Sequence, residues 1–162
     1  MAGEVKTQEF SEGVVVGTPT DIDRATSQIR ADTGNGHGST NTKIRRFTNN
    51  VTTGSNITFN QSAADGDDFT VNVTGVYAIS YTDGGGTSWV GISVNSAQLT
   101  TNIFAITTAN RLMSAESNGG IVINVAVTVR LTSGDVIRAH TDGDVTDVSA
   151  RSQFVITQVA LT

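Results

Sequence analysis

Cysteine is absent from the sequence, which excludes disulfides, thiolate metal ligands and a cysteine nucleophile. Proline occurs once, and charged residues make up only 15% of the chain, so its polarity is carried by Thr, Ser, Asn and Gly. Positive charge is in deficit: 10 Lys and Arg stand against 15 Asp and Glu. The resulting net charge of −5 argues against nucleic acid as a main partner. Long apolar runs are also missing. The opening segment MAGEVKTQEF is polar and reads as neither signal peptide nor membrane span. No membrane partner is therefore expected, and assembly in a cytoplasm is. What remains, 17 Gly with abundant Thr and Val over 162 residues, favours one all-β domain.

The organising stretch is Asp67–Asn95. Phe69, Val71 and Val73 alternate with Thr70, Asn72 and Thr74, the period of two that gives a strand one dry face. Gly75 interrupts, Val76–Thr82 resumes with Tyr77, Ile79 and Tyr81 on one side, and Trp89–Val94 follows the Asp83–Gly86 turn. Three strands joined by short polar turns predict an antiparallel meander.

Elsewhere the signals are unequal. Residues 1–24 read as a separate arm whose apolar residues, Val5, Phe10, Val14, Val15 and Val16, are too few for a core of their own. These five are the candidate docking residues of the arm. Thr20–Gln28 can be read as a helical turn, or Ala25–Ala31 as an opening strand. Asp32–Asn41 is a loop by composition. Its Gly34-x-Gly36-x-Gly38 spacing lacks the strand–helix context and the closing residues of a phosphate loop, and His37 reads as a solvated turn residue. Lys43–Thr48 predicts a short strand in which Arg45 and Arg46 mark a solvated edge. Asn56–Asn60 predicts another, Gln98–Ile106 a further one of mixed faces, and Thr107–Asn118 a loop.

Ile121–Leu131 is the most strongly patterned segment. Its odd positions are all apolar, whereas Val122, Asn124, Ala126, Thr128 and Arg130 form a small, mixed face. One side looks too apolar for a sheet edge and the other too small to face bulk water. Val136–Thr141 predicts a return strand, and Gln153–Leu161 closes the sequence with Phe154, Val155, Ile156, Val159 and Leu161 spread over both faces. About nine or ten short strands punctuated by turns indicate a sandwich or jelly roll.

Catalytic signatures do not emerge. The sequence holds no Gly-x-Ser-x-Gly elbow and no His-Glu-x-x-His zinc motif. The carboxylates Asp65/Asp67/Asp68 and Asp142/Asp144/Asp147 sit in turns, where Asp is first a turn former. Calcium is the sharper alternative for them, but neither cluster has helix–loop–helix calcium spacing. Four Asn-x-Ser/Thr sequons, beginning at Asn50, Asn56, Asn60 and Asn72, read as a by-product of Asn- and Thr-rich strands. The expectation is a non-enzyme with no metal and no cofactor.

In order along the chain, Ala25-Thr26-Ser27-Gln28-Ile29, Phe47 to Asn50, Phe69-x-Val71-x-Val73-x-Gly75-x-Tyr77-x-Ile79 and Val129-x-Leu131-x-x-Gly134-Asp135-Val136 resemble the jelly roll of the tumour necrosis factor superfamily and of complement-type globular heads. The resemblance spans Ala25–Leu161 and implies a jelly-roll domain over residues 25–162. The closing strand departs from the family's Phe-x-Gly-Phe-Leu pattern, having Phe154-Val155-Ile156-Thr157-Gln158, and there is no collagenous stalk. The form resembled is therefore that of tailed-phage virion surfaces. It implies a homotrimer decorating a capsid and held by the major capsid or another virion protein, with a receptor- or glycan-binding tail-fibre tip as the alternative. The candidate trimer interface comprises Tyr77, Tyr81, Val122, Asn124, Ala126, Thr128, Val155 and Val159, since threefold association would bury the second face.

Overall fold

The structure is a computed structural model, described here for residues 27–85, 88–118, 120–145 and 149–161. The proposed arm, residues 1–24, lies outside the described residues. These form ten strands: β1 Gln28–His37, β2 Arg45–Thr53, β3 Ile57–Asn60, β4 Asp68–Val71, β5 Gly75–Gly84, β6 Ser88–Val94, β7 Arg111–Ser117, β8 Val122–Leu131, β9 Val136–Thr141 and β10 Gln153–Leu161. They build two five-stranded antiparallel sheets, ordered β2-β1-β10-β5-β8 and β3-β4-β9-β6-β7. This is the expected jelly-roll sandwich.

The core lies between the sheets and follows the period-two pattern. Tyr77, Ile79 and Tyr81 of β5 point inward beside Val125 of β8 and Phe154 and Ile156 of β10, all at most 3% exposed. Phe69 of β4 reaches across the sandwich to stack on Phe154, centroids 4.3 Å apart, and Phe47 packs against both rings. Buried aromatics at these spacings supply both large apolar area and orientation-dependent attraction.

The predicted meander is not there. β4, β5 and β6 follow one another in sequence, but β5 lies in one sheet and its two neighbours in the other. Besides their sequence neighbours β3 and β7, these strands find partners far along the chain, β4 at β9, β5 at β8 and β10, and β6 at β9. Alternation places a face but does not say which sheet a strand joins.

Five other expectations are corrected. Strand β1 continues through the segment read as a loop at Asp32–Asn41, accommodated by positive φ at Thr33 and Gly36 and by a register shift between Gly34 and His37. His37 is not a solvated turn residue: its Nε2 pairs with Thr141 Oγ1 at 2.8 Å. The segment Gln98–Ile106 holds turns and a 3-10 helix at Ile103–Ala105 rather than a strand, while β7 occupies most of the predicted loop Thr107–Asn118. Strand β8 lies at the edge of its sheet near β7 of the facing sheet, with Val125 and Leu131 buried and Ile123, Val127 and Val129 partly buried.

The two outer faces differ. On the β6 side, Ile103 and Ile106 fold back over the sheet and are 0% and 4% exposed. Gly91 admits them, because a Cβ there would stand 2.6 Å from Ile103 Cγ1 and 2.5 Å from the Met113 carbonyl oxygen. His140 ties this cover down, with Nδ1 on Ser93 Oγ at 3.1 Å and Nε2–H donating to the Thr101 carbonyl at 2.8 Å. No such cover lies over the outer face of the β5 sheet among the described residues.

Candidate functional site

The outer face of the β5 sheet is built by cross-strand register. Ala78 of β5 pairs with Thr128 of β8 and Thr157 of β10, and Ser80 pairs with Ala126 and Val155. Paired residues share a face, so these six side chains form one patch in which every member is small or β-branched and none is charged. Ala78 and Ala126 leave a shallow depression of about 320 Å³ at its centre. A second, of about 290 Å³, adjoins it at Val155 and is bounded by Gln28, Arg30, Val51 and Thr53. Charges border the patch: Arg30, the cross-strand partner of Val155, pairs with Asp32 at 3.0 Å, and Arg130 follows Thr128 on the same face of β8. Hydrogen bonding to Asn49, offset by burial, holds the Asp32 carboxyl below its usual range.

Of the candidate interface residues, Asn124, Ala126, Thr128 and Val155 come together here, with Val122 at the end of the same row opposite Gly84. Asn124 is rigidly placed, since its Nδ2 donates to Ser80 Oγ and Thr82 Oγ1, both at 2.7 Å. Val159 is 47% exposed at the bulge between Gln158 and Ala160, beyond the patch. Tyr77 and Tyr81 are not on this face. Both are 0% exposed in the core, because they share parity with Ile79 and with the inward row of β8. The Tyr77 hydroxyl donates to the Val73 carbonyl and that of Tyr81 to Asp83 Oδ2 at 2.8 Å. Burial pushes Tyr77 up to about 12 and Tyr81 well above its ordinary value.

A buried polar cluster at one end of the sandwich corrects another expectation. Arg45, read as a solvated edge residue, is 0% exposed. Its Nε donates to Asp83 Oδ2 at 2.8 Å, its Nη1 to the Gly36 carbonyl at 3.2 Å and its Nη2 to Ser152 Oγ at 3.0 Å. Asp83 Oδ1 accepts from the Gly84 amide at 2.9 Å and from Ser152 Oγ at 2.7 Å. Gly34 makes the room, since a Cβ there would stand 2.1 Å from Arg45 Nη2. Closed to solvent and mutually satisfied, the cluster ties β1, β2, β5 and the β10 approach together and offers no group for chemistry. His37 sits beside it; burial, reinforced by the Arg45 charge, pushes its imidazole down to about 4. Burial pushes His140 in the same direction.

The Asp clusters serve the backbone. Asp67 is 1% exposed and accepts the Phe47 amide at 2.7 Å and the Ser62 amide at 3.1 Å, with burial raising its pKa despite both bonds. Asp142 accepts the amides of Trp89 at 2.7 Å and Asp144 at 3.0 Å, while Asp147 lies outside the described residues. Among the described residues no three His, Asp or Glu side chains are grouped to hold a metal ion.

Two five-stranded sheets in this order, with the first and last described strands paired at the centre of one of them, define a jelly roll of the tumour necrosis factor type. Solved structures agree. Murine APRIL at pH 8.5 superposes with a TM-score of 0.58 at 13% identity, over 82% of this chain and 98% of that one. GITRL from bushbaby gives 0.50 at 17% identity, over 83% of this chain and 95% of that one. Both are tumour necrosis factor superfamily jelly rolls, and at these identities the likeness is one of fold. No protein-family model matches the sequence, and no curated protein matches it.

Proposed function

We propose that the protein is a non-enzymatic structural component that associates with two further copies of itself through the outer face of the β5 sheet. The observation that carries this reading is the asymmetry between the two outer faces. One is covered by the protein's own Ile103 and Ile106, whereas the other presents Ala78, Ser80, Ala126, Thr128, Val155 and Thr157 bare and uncharged. A flat patch of short side chains loses little conformational entropy when a second copy packs on it. Cyclic closure then leaves no surface from which a filament can grow. The fold likeness and the sequence resemblance both support three as the number.

The setting follows the resemblance: a homotrimer on the virion surface of a tailed bacteriophage, decorating the capsid and held by the major capsid protein or another virion protein. The arm, through Val5, Phe10, Val14, Val15 and Val16, is the docking element, added as a strand to an exposed sheet edge of the partner. The tail-fibre tip is the second reading. Copy number in purified particles separates them, hundreds of chains per particle supporting decoration and a few trimers a fibre; absence from particles refutes both. A monomer mass by light scattering at micromolar concentration refutes the trimer. Deleting residues 1–19 should leave a folded trimer that no longer joins particles, and full occupancy by the truncated protein refutes the assignment of the arm.

A further inference from the structure

Strand β1 loses its grip on both neighbours at Asn35-Gly36. The ladder to β2 pairs Gly34 with Phe47 and His37 with Arg45, with a register shift between, so Asn35 and Gly36 stand opposite no residue. On the other side the pairing with β10 ends at Asp32. Gly36 takes a φ of +68°, and a Cβ there would meet nothing within 4 Å, so the backbone at this point has open space around it. Asn35 is exposed, and its carboxamide makes no hydrogen bond among the described residues. Those of Asn41, Asn49, Asn72 and Asn124, by contrast, each donate to a neighbour.

An asparagine that precedes a glycine carries its own reaction, which is one reason asparagine is a thermolabile residue. The Gly36 amide nitrogen attacks Asn35 Cγ, and the absence of a Cβ on Gly36 removes the usual obstruction. A new N–Cγ bond forms. The carboxamide nitrogen leaves as ammonia, taking up the proton that Gly36 gives up, and a cyclic imide remains. Water then adds at either imide carbonyl. Opening at Cγ leaves an ordinary aspartyl link, whereas opening at the main-chain carbonyl leaves an isoaspartyl link that routes the chain through Cβ and Cγ. Water is the sole co-reactant. A hydrogen-bonded carboxamide or a ladder-held amide opposes the attack by fixing the two groups apart, and Asn35-Gly36 has neither restraint from its side chain nor from register.

We propose that Asn35-Gly36 is a self-modification site, at which the chain converts its own asparagine to isoaspartate and thereby unfastens Gly36 from Arg45. The Gly36 carbonyl accepts from Arg45 Nη1 at 3.2 Å, the bond that ties the β1 irregularity to the buried cluster. An isoaspartyl link inserts a backbone carbon immediately before Gly36 and displaces that carbonyl. Arg45 keeps Asp83 and Ser152, so the corner where β1 meets β2 loosens while the core stays closed. The new carboxylate stays at the surface, where the exposed Asn35 side chain was. All the reacting atoms belong to a single chain, so the site stands or falls separately from the trimer.

The test incubates the full chain at mildly alkaline pH and body temperature. Asn35 is followed by peptide mapping, with isoaspartate identified by enzymatic methyl transfer. If the fold leaves the site unrestrained, conversion in the folded chain should proceed within about tenfold of its rate in the urea-unfolded chain. Stronger protection than that overturns the inference, as does an aspartyl link as the only product. The converted fraction should melt roughly 3–10 °C lower than the fresh protein, the loss expected for one hydrogen bond to a charged group. Asn35→Gln, at the same exposed position, closes the ring far less readily and should keep its melting temperature over the same incubation. Conversion with no fall in melting temperature, or an equal fall in Asn35→Gln, overturns the link to Arg45.

Discussion

Replacing Asp83 by Asn keeps the shape of the side chain and removes its charge from a place that water does not reach. Asp83 and Arg45 are each 1% exposed in their side chains and meet at 2.8 Å. The carboxylate also accepts from Tyr81, Gly84 and Ser152, so an amide NH2 at either oxygen position turns one acceptor into a donor facing donors. The guanidinium, meanwhile, loses its counter-charge while remaining buried. Breaking one side of a buried pair costs about 3–5 kcal/mol, a large share of the roughly 5–15 kcal/mol that holds such a domain. With a urea slope of about 2 kcal/mol per molar, the unfolding midpoint should fall by about 1.5–2.5 M. The assay is urea unfolding followed by Trp89 fluorescence at one fixed protein concentration, because self-association adds concentration-dependent stability. The double variant Arg45→Met/Asp83→Asn removes both charges and should be less damaged than the sum of its singles by about 1–3 kcal/mol. A midpoint shift under about 0.5 M for Asp83→Asn would falsify the reasoning.

Further outcomes are expected. Ala126→Arg, at an exposed position, should convert the proposed trimer to a folded monomer by light scattering and circular dichroism; a variant that stays trimeric shows that the interface lies elsewhere. Gly91→Ala should cost about 1–3 kcal/mol, since its methyl meets Ile103 and the Met113 carbonyl, and an unchanged melting temperature contradicts the packing described. An unfolded histidine titrates near 6.5, so with His37 held at about 4 the unfolded chain binds more protons between those values. Stability should therefore be full above that window and fall as pH drops through it, by up to roughly 3 kcal/mol from His37. His37→Gln should flatten this slope, and an unaltered slope assigns it to another group. Adding chelator should leave the melting temperature unchanged; a fall restored by calcium makes one of the Asp clusters a site.

The sequence made the faces legible and left the partners hidden. Tyr77, Ile79 and Tyr81 declare a common side by alternation, and Ala126 and Thr128 declare the opposite one, because a strand's period is local. That the first trio faces the core follows from Phe154 and Phe69, far away in the chain, and no local rule supplies it. Arg45 looked like an edge charge because its partner Asp83 stands 38 residues on, in a stretch that reads as a turn. Glycines that permit close approach, Gly34 beneath Arg45 and Gly91 beneath Ile103, looked like loop and strand punctuation. Strand β7 is hard to read because Arg111–Ser117 itself carries little apolar periodicity. The patch at Ala126 was readable from β8 alone.

The position of β10 has a consequence for biogenesis. It lies between β1 and β5 and is the only described strand that hydrogen-bonds to either on that side. Until Gln153 and the residues after it have left the ribosome, the β2–β1 hairpin and the β5–β8 pair are separate pieces with exposed edges. Most contacts among the described residues are long-range, the kind that closes slowly. The large sheet and its outer patch exist only in a chain translated through β10, so prematurely terminated chains carry no complete patch with which to join and poison an assembly.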